Sequence, residues 1–68
     1  MSKEAKFMIY CIETYKNEKD LSGKQVIDLL EKYDILNYII SSYGALHTTG
    51  GRYIVEDIDL FIKARQSA

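Results

Sequence analysis

The centre of this 68-residue chain carries no Asp, Glu, Lys or Arg over 17 consecutive residues, from Ile35 to Gly51. His47, which lies in this run, is the only histidine of the chain. Charged side chains are common on both sides of it, at 28% of the whole chain. Because charged side chains are rarely buried and this run has none, we expect it to supply the core.

The segments before and within this run have the periodicity of helices. Residues 3–17 place apolar side chains at three- and four-residue spacing, which predicts a first amphipathic helix. Ser22 and Gln25 have the spacing of a capping box and predict the start of a second helix. We expect Asp34 to cap a third helix and Gly44 to end it.

The remainder of the chain predicts a hairpin and a fourth helix. Gly50 and Gly51 lie between residues that favour strands, a pattern typical of a hairpin turn over residues 46–55, with an irregular loop as the alternative. The last segment begins with acidic residues from Glu56 and ends with basic ones, the charge order that suits a helix dipole. The predicted fold is mainly α, a small four-helix domain with a short β-hairpin between the third and fourth helices.

The length and the single cysteine bound how such a domain is stabilised. Residues 1–68 contain no proline, repeat or linker and predict one domain, and a chain of this size buries only about 60% of its unfolded surface. Cys11 alone forms neither an internal disulfide nor a multi-thiolate zinc site, so we expect support from a homo-oligomer. A lone thiol fits a reducing compartment, and the apolar run 7–12 is too short for a signal-peptide core or a membrane span. These features predict a cytoplasmic protein with an inert, buried Cys11.

The candidate catalytic groups have simpler structural interpretations. His47 beside Thr48 is a weak base and nucleophile pair, because neighbours on an extended chain point to opposite faces. A structural histidine bonded to a backbone carbonyl is the favoured interpretation. A metal site formed by His47 with the acidic group Glu56, Asp57 and Asp59 lacks a second histidine. We therefore expect no enzyme activity, no metal and no cofactor.

Nucleic-acid binding is the alternative function. The second and third helices are joined closely, as in a helix-turn-helix protein, and the hairpin would act as a wing. The charges oppose this interpretation, since residues 34–62 carry Arg52 against four acids, a net charge of minus three. The presumed recognition helix, residues 35–43, has no Lys or Arg to contact phosphates.

A longer pattern supports a family resemblance. The run Leu46-His47-Thr48-Thr49-Gly50 and the run from Tyr53 to Asp59, together with the opening Phe7-Met8-Ile9-Tyr10-Cys11-Ile12-Glu13, resemble a family of short bacterial proteins of unknown function. The genes of that family often lie beside genes for ADP-ribosyltransferase-like toxins, which implies a neutralising or partner-binding role. The resemblance gives no weight to Arg52. The six positions to which it gives weight are His47, Thr48, Gly50, Tyr53, Glu56 and Asp57.

The sequence thus predicts a small protein-interaction module, an antitoxin-like or regulatory partner of a neighbouring protein, with nucleic-acid binding as the alternative. Excess apolar helix surface in a very small chain is the main reason. We expect the partner to bind the apolar helix faces and the acidic region 47–59. The predicted partner-binding residues are His47, Thr48, Gly50, Tyr53, Glu56, Asp57 and Asp59.

Overall fold

The computed structural model describes residues 1–67, which form five helices and no strand. The mainly α prediction is confirmed, but the predicted count of four helices is wrong, since these residues form five. The helices, in chain order, are α1 (Lys3–Lys19), α2 (Gly23–Lys32), α3 (Ile35–Ser41), α4 (Tyr43–Leu46) and α5 (Gly51–Gln66).

Local hydrogen bonds define the ends of the first two helices. The Ser2 hydroxyl caps α1 by accepting from the backbone N–H of Ala5 at 3.1 Å, and Asp20 ends α1 in the left-handed region with φ 55°. The predicted capping box of α2 is confirmed, since Ser22 Oγ accepts from the Gln25 N–H and Gln25 Oε1 accepts from the Ser22 N–H. Both devices satisfy backbone donors that the first helical turn leaves free.

The junction between α2 and α3 differs from the prediction. Asp34 adopts φ 58° and its carboxylate accepts from the Asn37 amide rather than from a backbone N–H of α3. Helix α3 ends at Ser41, before Gly44, which lies inside the short helix α4. The uncharged central run therefore folds as two short helices instead of one helix followed by a strand.

Helix α1 packs against α2, α3 and α5, and the core lies between these four helices. Every helix contributes to it, so the core is not confined to the uncharged run 35–51 as expected from the sequence. No polar or charged residue among the described residues is buried. The buried residues are Phe7, Cys11, Tyr15, Val26, Leu30, Ile35, Ile39, Leu46, Ile54, Val55, Ile58 and Ile62.

The predicted β-hairpin at residues 46–55 is wrong. Gly50 is the N-cap of α5, with φ −78° and ψ 163°, and Gly51 is the first residue of that helix. Neither glycine has the positive φ that a type I′ turn requires. The β-favouring residues Ile54 and Val55 instead join Ile58 and Ile62 in one helical stripe, and this stripe is buried in the core.

Because α5 begins at Gly51, its acidic residues do not lie in the first helical turn as predicted. Lys63 and Arg65 lie in the last turn, as predicted, but the first turn contains no acid. Glu56, Asp57 and Asp59 lie further along the helix, so they face neighbouring helices or solvent rather than the helix N-terminus. Within residues 1–67, no helix has the length and apolar character needed to cross a membrane.

Candidate interaction site

The side chains just before α5 form hydrogen bonds with backbone carbonyls three or four residues earlier in the chain. The ring Nδ1 of His47 donates to the backbone carbonyl of Tyr43 at 2.6 Å, and the two rings stack with centroids 4.3 Å apart. The Thr48 hydroxyl donates to the carbonyl of Ala45 at 3.2 Å. His47 thus makes the backbone-carbonyl contact predicted for it. The side chains of His47 and Thr48 remain exposed.

Asp59 connects α5 to α1. Its Oδ1 accepts from the Tyr15 hydroxyl at 2.6 Å, and its Oδ2 lies 2.6 Å from the Lys19 ammonium. Burial raises the pKa of Tyr15 above its ordinary value, and the hydrogen bond to Asp59 and the charge of that carboxylate raise it further. The Tyr15 hydroxyl therefore stays protonated and serves Asp59 as a donor.

Asp57 connects α5 to α3 on the other side. The Tyr38 hydroxyl donates to Asp57 Oδ2 at 2.5 Å, and the Tyr38 ring packs on Phe61 with centroids 4.6 Å apart. The hydrogen bond to Asp57, followed by desolvation and the Asp57 charge, raises the pKa of Tyr38 to about 12. Two residues turn a helix by about 200°, which is why Asp57 and Asp59 face different helices.

The predicted acidic group is therefore divided in the folded chain. Asp57 and Asp59 bond to neighbouring helices, and of the three acids only Glu56 is exposed. Its Oε1 lies 3.5 Å from Nε of Arg52. Among residues 1–67 no three His, Cys, Asp or Glu side chains are arranged to hold a metal ion.

The outward side of α5 carries the two most exposed large apolar side chains of any helix. Leu60 is 66% exposed and Tyr53 is 55% exposed. With 3.6 residues per turn, both lie on one stripe, together with other exposed residues within about 60° of Leu60. We call this surface the α5 face, which consists of Tyr53, Glu56, Leu60, Lys63 and Ala64.

The predicted partner-binding residues include Tyr53 and Glu56 but not Leu60. If the last helix began at Glu56, as predicted, Tyr53 would lie outside it and would not share a helical stripe with Leu60. The missing signal was the helical spacing of Ile54, Ile58 and Ile62, which assigns the opposite side of α5 to the core and leaves Leu60 outside.

An open groove of about 300 Å³ lies between α1 and the start of α5. Thr14, Glu18, Gly51, Arg52 and Val55 line it. Its two charged groups are a carboxylate and a guanidinium of opposite sign, on exposed residues. The groove therefore offers neither a uniform charge for an ionic ligand nor an enclosed apolar space.

Cys11 is fully buried on α1. Burial raises the pKa of its thiol from 9.0 to about 11, so the thiolate is scarce at neutral pH. The prediction of a buried cysteine is confirmed, and its position in the core limits its access to reagents.

Replacing Asp59 by asparagine is expected to lower the free energy of unfolding by about 1 kcal/mol. The amide oxygen still accepts from the Tyr15 hydroxyl, but the charge that attracts Lys19 is lost. Urea unfolding followed by circular dichroism measures the change. Within one chain, the matched variant Glu56→Gln alters only an exposed pair with Arg52, so at low protein concentration it should stay within about 0.5 kcal/mol of the parent. Equal losses in both variants would show that Asp59 does not hold α1.

The fold and the α5 face define a small all-α protein with an exposed amphipathic helix. The profile of the family described as "Protein of unknown function (DUF3791)" matches residues 6–65 of the chain. The chain therefore belongs to this family, which agrees with the resemblance to a family of unknown function. No curated protein and no solved structure matches the chain.

Proposed function

We propose that this protein is a protein-interaction module that binds a polypeptide partner through the α5 face. The observation that carries the proposal is the joint exposure of Leu60 and Tyr53 on one stripe of a helix whose other side fills the core. An exposed apolar stripe with polar residues beside it is the pattern by which helices bind other proteins.

The energetics support this use of the face. Full burial of a large apolar side chain contributes roughly 1.5–3 kcal/mol, and both Leu60 and Tyr53 leave more than half of their surface to be covered. Tyrosine is enriched among the residues that dominate binding energy, because it combines apolar area with a hydroxyl. The half-buried Tyr38 and Phe61 extend the apolar area toward α3.

The finer form of the proposal is an antitoxin-like or regulatory role toward a protein encoded nearby. It rests on the gene neighbourhood that the family resemblance implies. The exposed Glu56 on the α5 face would favour a partner with a basic surface.

Helix α3 offers little to the alternative of nucleic-acid binding. Ile35 and Ile39 of this presumed recognition helix are buried in the core. Its exposed residues, Asn37, Ile40 and Ser41, include no cation for a phosphate contact. The α5 face therefore carries the proposed function.

Site-specific photo-crosslinking tests the proposal. A photoreactive phenylalanine analogue at Leu60 is expected to give a covalent adduct with a polypeptide in cells of the source organism. The matched position Ile27, an exposed apolar residue on α2, should give little or none. The mass of the adduct distinguishes a second 7.9 kDa chain from a larger partner. No adduct at Leu60, or equal yields at both positions, would contradict the proposal.

A further inference from the structure

We infer that the partner of the α5 face is a second copy of this chain, packed antiparallel about a two-fold axis at Leu60. The inference rests on the proposed function, because it names the occupant of the same surface, and it puts a second copy there in place of a protein encoded nearby. The observation that carries it is the order of charges along the face.

Glu56 and Lys63 lie on the same flank of the stripe, one before and one after Leu60. At 100° per residue they are about 40° and 60° to one side of Leu60. Glu56 lies about 6 Å before Leu60 along the helix axis and Lys63 about 4.5 Å after it. Both side chains are exposed, and no ion pair within the described chain involves Lys63.

A two-fold axis perpendicular to the helices reverses their direction and keeps each flank on its own side. Glu56 of one copy then lies opposite Lys63 of the other, and the symmetry repeats this pair. The positions along the axis differ by only about 1.5 Å. A parallel arrangement would instead turn Glu56 toward the flank that carries Asp57, so that two carboxylates would meet. The charge pattern is complementary to itself in the antiparallel arrangement alone.

The apolar and small residues of the face fit the same arrangement. Leu60 packs on Leu60 at the axis. Tyr53, about 10 Å before the axis, lies opposite Ala64 of the second copy and opposite its Ser67, the C-cap that follows α5, and both are small enough to receive the Tyr53 ring. A large side chain over small ones at both ends gives the two helices a close contact.

The contact between Glu56 and Arg52 does not compete strongly with this pairing. The two groups are 3.5 Å apart, and their side chains are 63% and 93% exposed. An ion pair this exposed contributes little, so Glu56 can turn to Lys63 of the second copy.

The interface is formed mainly by one helix from each copy. Such an area falls at the low end of specific interfaces, below about 1,200 Å² in total. We therefore expect a monomer–dimer equilibrium that shows its dimer at high micromolar concentration.

Charge reversal with rescue tests the inference. Sedimentation equilibrium from about 1 µM to 1 mM should show dimers of the wild-type chain. Glu56→Lys and Lys63→Glu should each raise the dissociation constant about tenfold, because each places like charges opposite each other twice. A mixture of the two variants, or the double variant Glu56→Lys/Lys63→Glu, should restore the wild-type value.

Two controls separate the interface from folding and from other surfaces. Circular dichroism should show equal helix content in all variants. Ile9→Glu, a change of an exposed apolar residue on α1, should leave the dissociation constant unchanged.

The outcomes distinguish the inference from the proposed function. A wild-type chain that stays monomeric throughout, or single variants that the mixture does not rescue, would overturn the inference. If a larger polypeptide is then crosslinked at Leu60, the proposed function stands without it. A failure to crosslink any polypeptide at Leu60 would overturn the proposed function itself.

Discussion

Replacing Ile58 by alanine is expected to lower the free energy of unfolding by about 2–5 kcal/mol. Ile58 is 1% exposed, on the side of α5 that enters the core. Removing most of its side chain loses buried apolar area and leaves a cavity that rigid neighbours fill only in part. Since a domain of this size has roughly 3–10 kcal/mol of total stability, the variant should be much less folded than the parent.

Leu60→Ala is the matched control for Ile58→Ala. Leu60 lies two residues away on the same helix and is mostly exposed, so we expect a change within about 0.5 kcal/mol. Urea unfolding at low micromolar protein concentration, where the dimer is sparse, compares the two. In a strand, residues 58 and 60 would share one face and their substitutions would act alike. Similar losses in both variants would contradict the helical assignment of this segment.

The second large effect is expected from Gly51→Val, which should lower the free energy of unfolding by about 2–3 kcal/mol. A Cβ atom at this position would lie 3.0 Å from the Thr14 methyl carbon and 3.2 Å from the Tyr10 hydroxyl oxygen. The two methyl groups of valine would add to this crowding, and the β-branched Thr14 has few other rotamers. The Thr14 and Tyr10 side chains or the start of α5 would have to shift to make room.

Gly23→Val provides the control for Gly51→Val. Gly23 is likewise the first residue of a helix after an extended N-cap, but a Cβ atom there meets nothing within 4 Å. The backbone effect of the substitution is therefore similar at both positions, and the difference in thermal or urea stability measures the contact with α1. A loss at Gly23 as large as that at Gly51 would mean that the close approach of the helices does not matter.

Local signals predicted the first half of the fold well. The capping box of Ser22 and Gln25 depends only on residues three positions apart, and it forms as predicted. The burial of Cys11 followed from its bulky apolar neighbours along α1. In both cases the sequence pattern that carries the prediction lies within one or two helical turns.

The segment 46–55 could not be predicted in this way. The Gly-Gly pair beside Tyr53, Ile54 and Val55 favours a hairpin by local preference. Burial of the stripe that includes Ile54, Ile58 and Ile62 favours a helix. The helix forms because its buried side chains fill the core. Gly51 therefore does not form a turn. Its lack of a side chain lets α5 approach Thr14 closely.

The predicted partner-binding residues are separated in the structure for the same reason. Tyr53 and Glu56 lie on the exposed α5 face, whereas Asp57 and Asp59 accept hydrogen bonds from Tyr38 and Tyr15. Two residues that are neighbours in an acidic run serve opposite sides of one helix. Helical spacing alone turns the two side chains to different sides of α5, but the helices that they contact are decided by the tertiary structure.

The sequence by itself determined a mainly helical protein with defined starts for its early helices. Those features follow from periodicity and from hydrogen bonds between near neighbours. Only the tertiary structure decided that α5 begins at Gly51, that Leu60 is left outside, and that Asp57 and Asp59 bond to different helices. These outcomes depend on contacts between residues far apart in the chain, where burial of a shared core outweighs local preference.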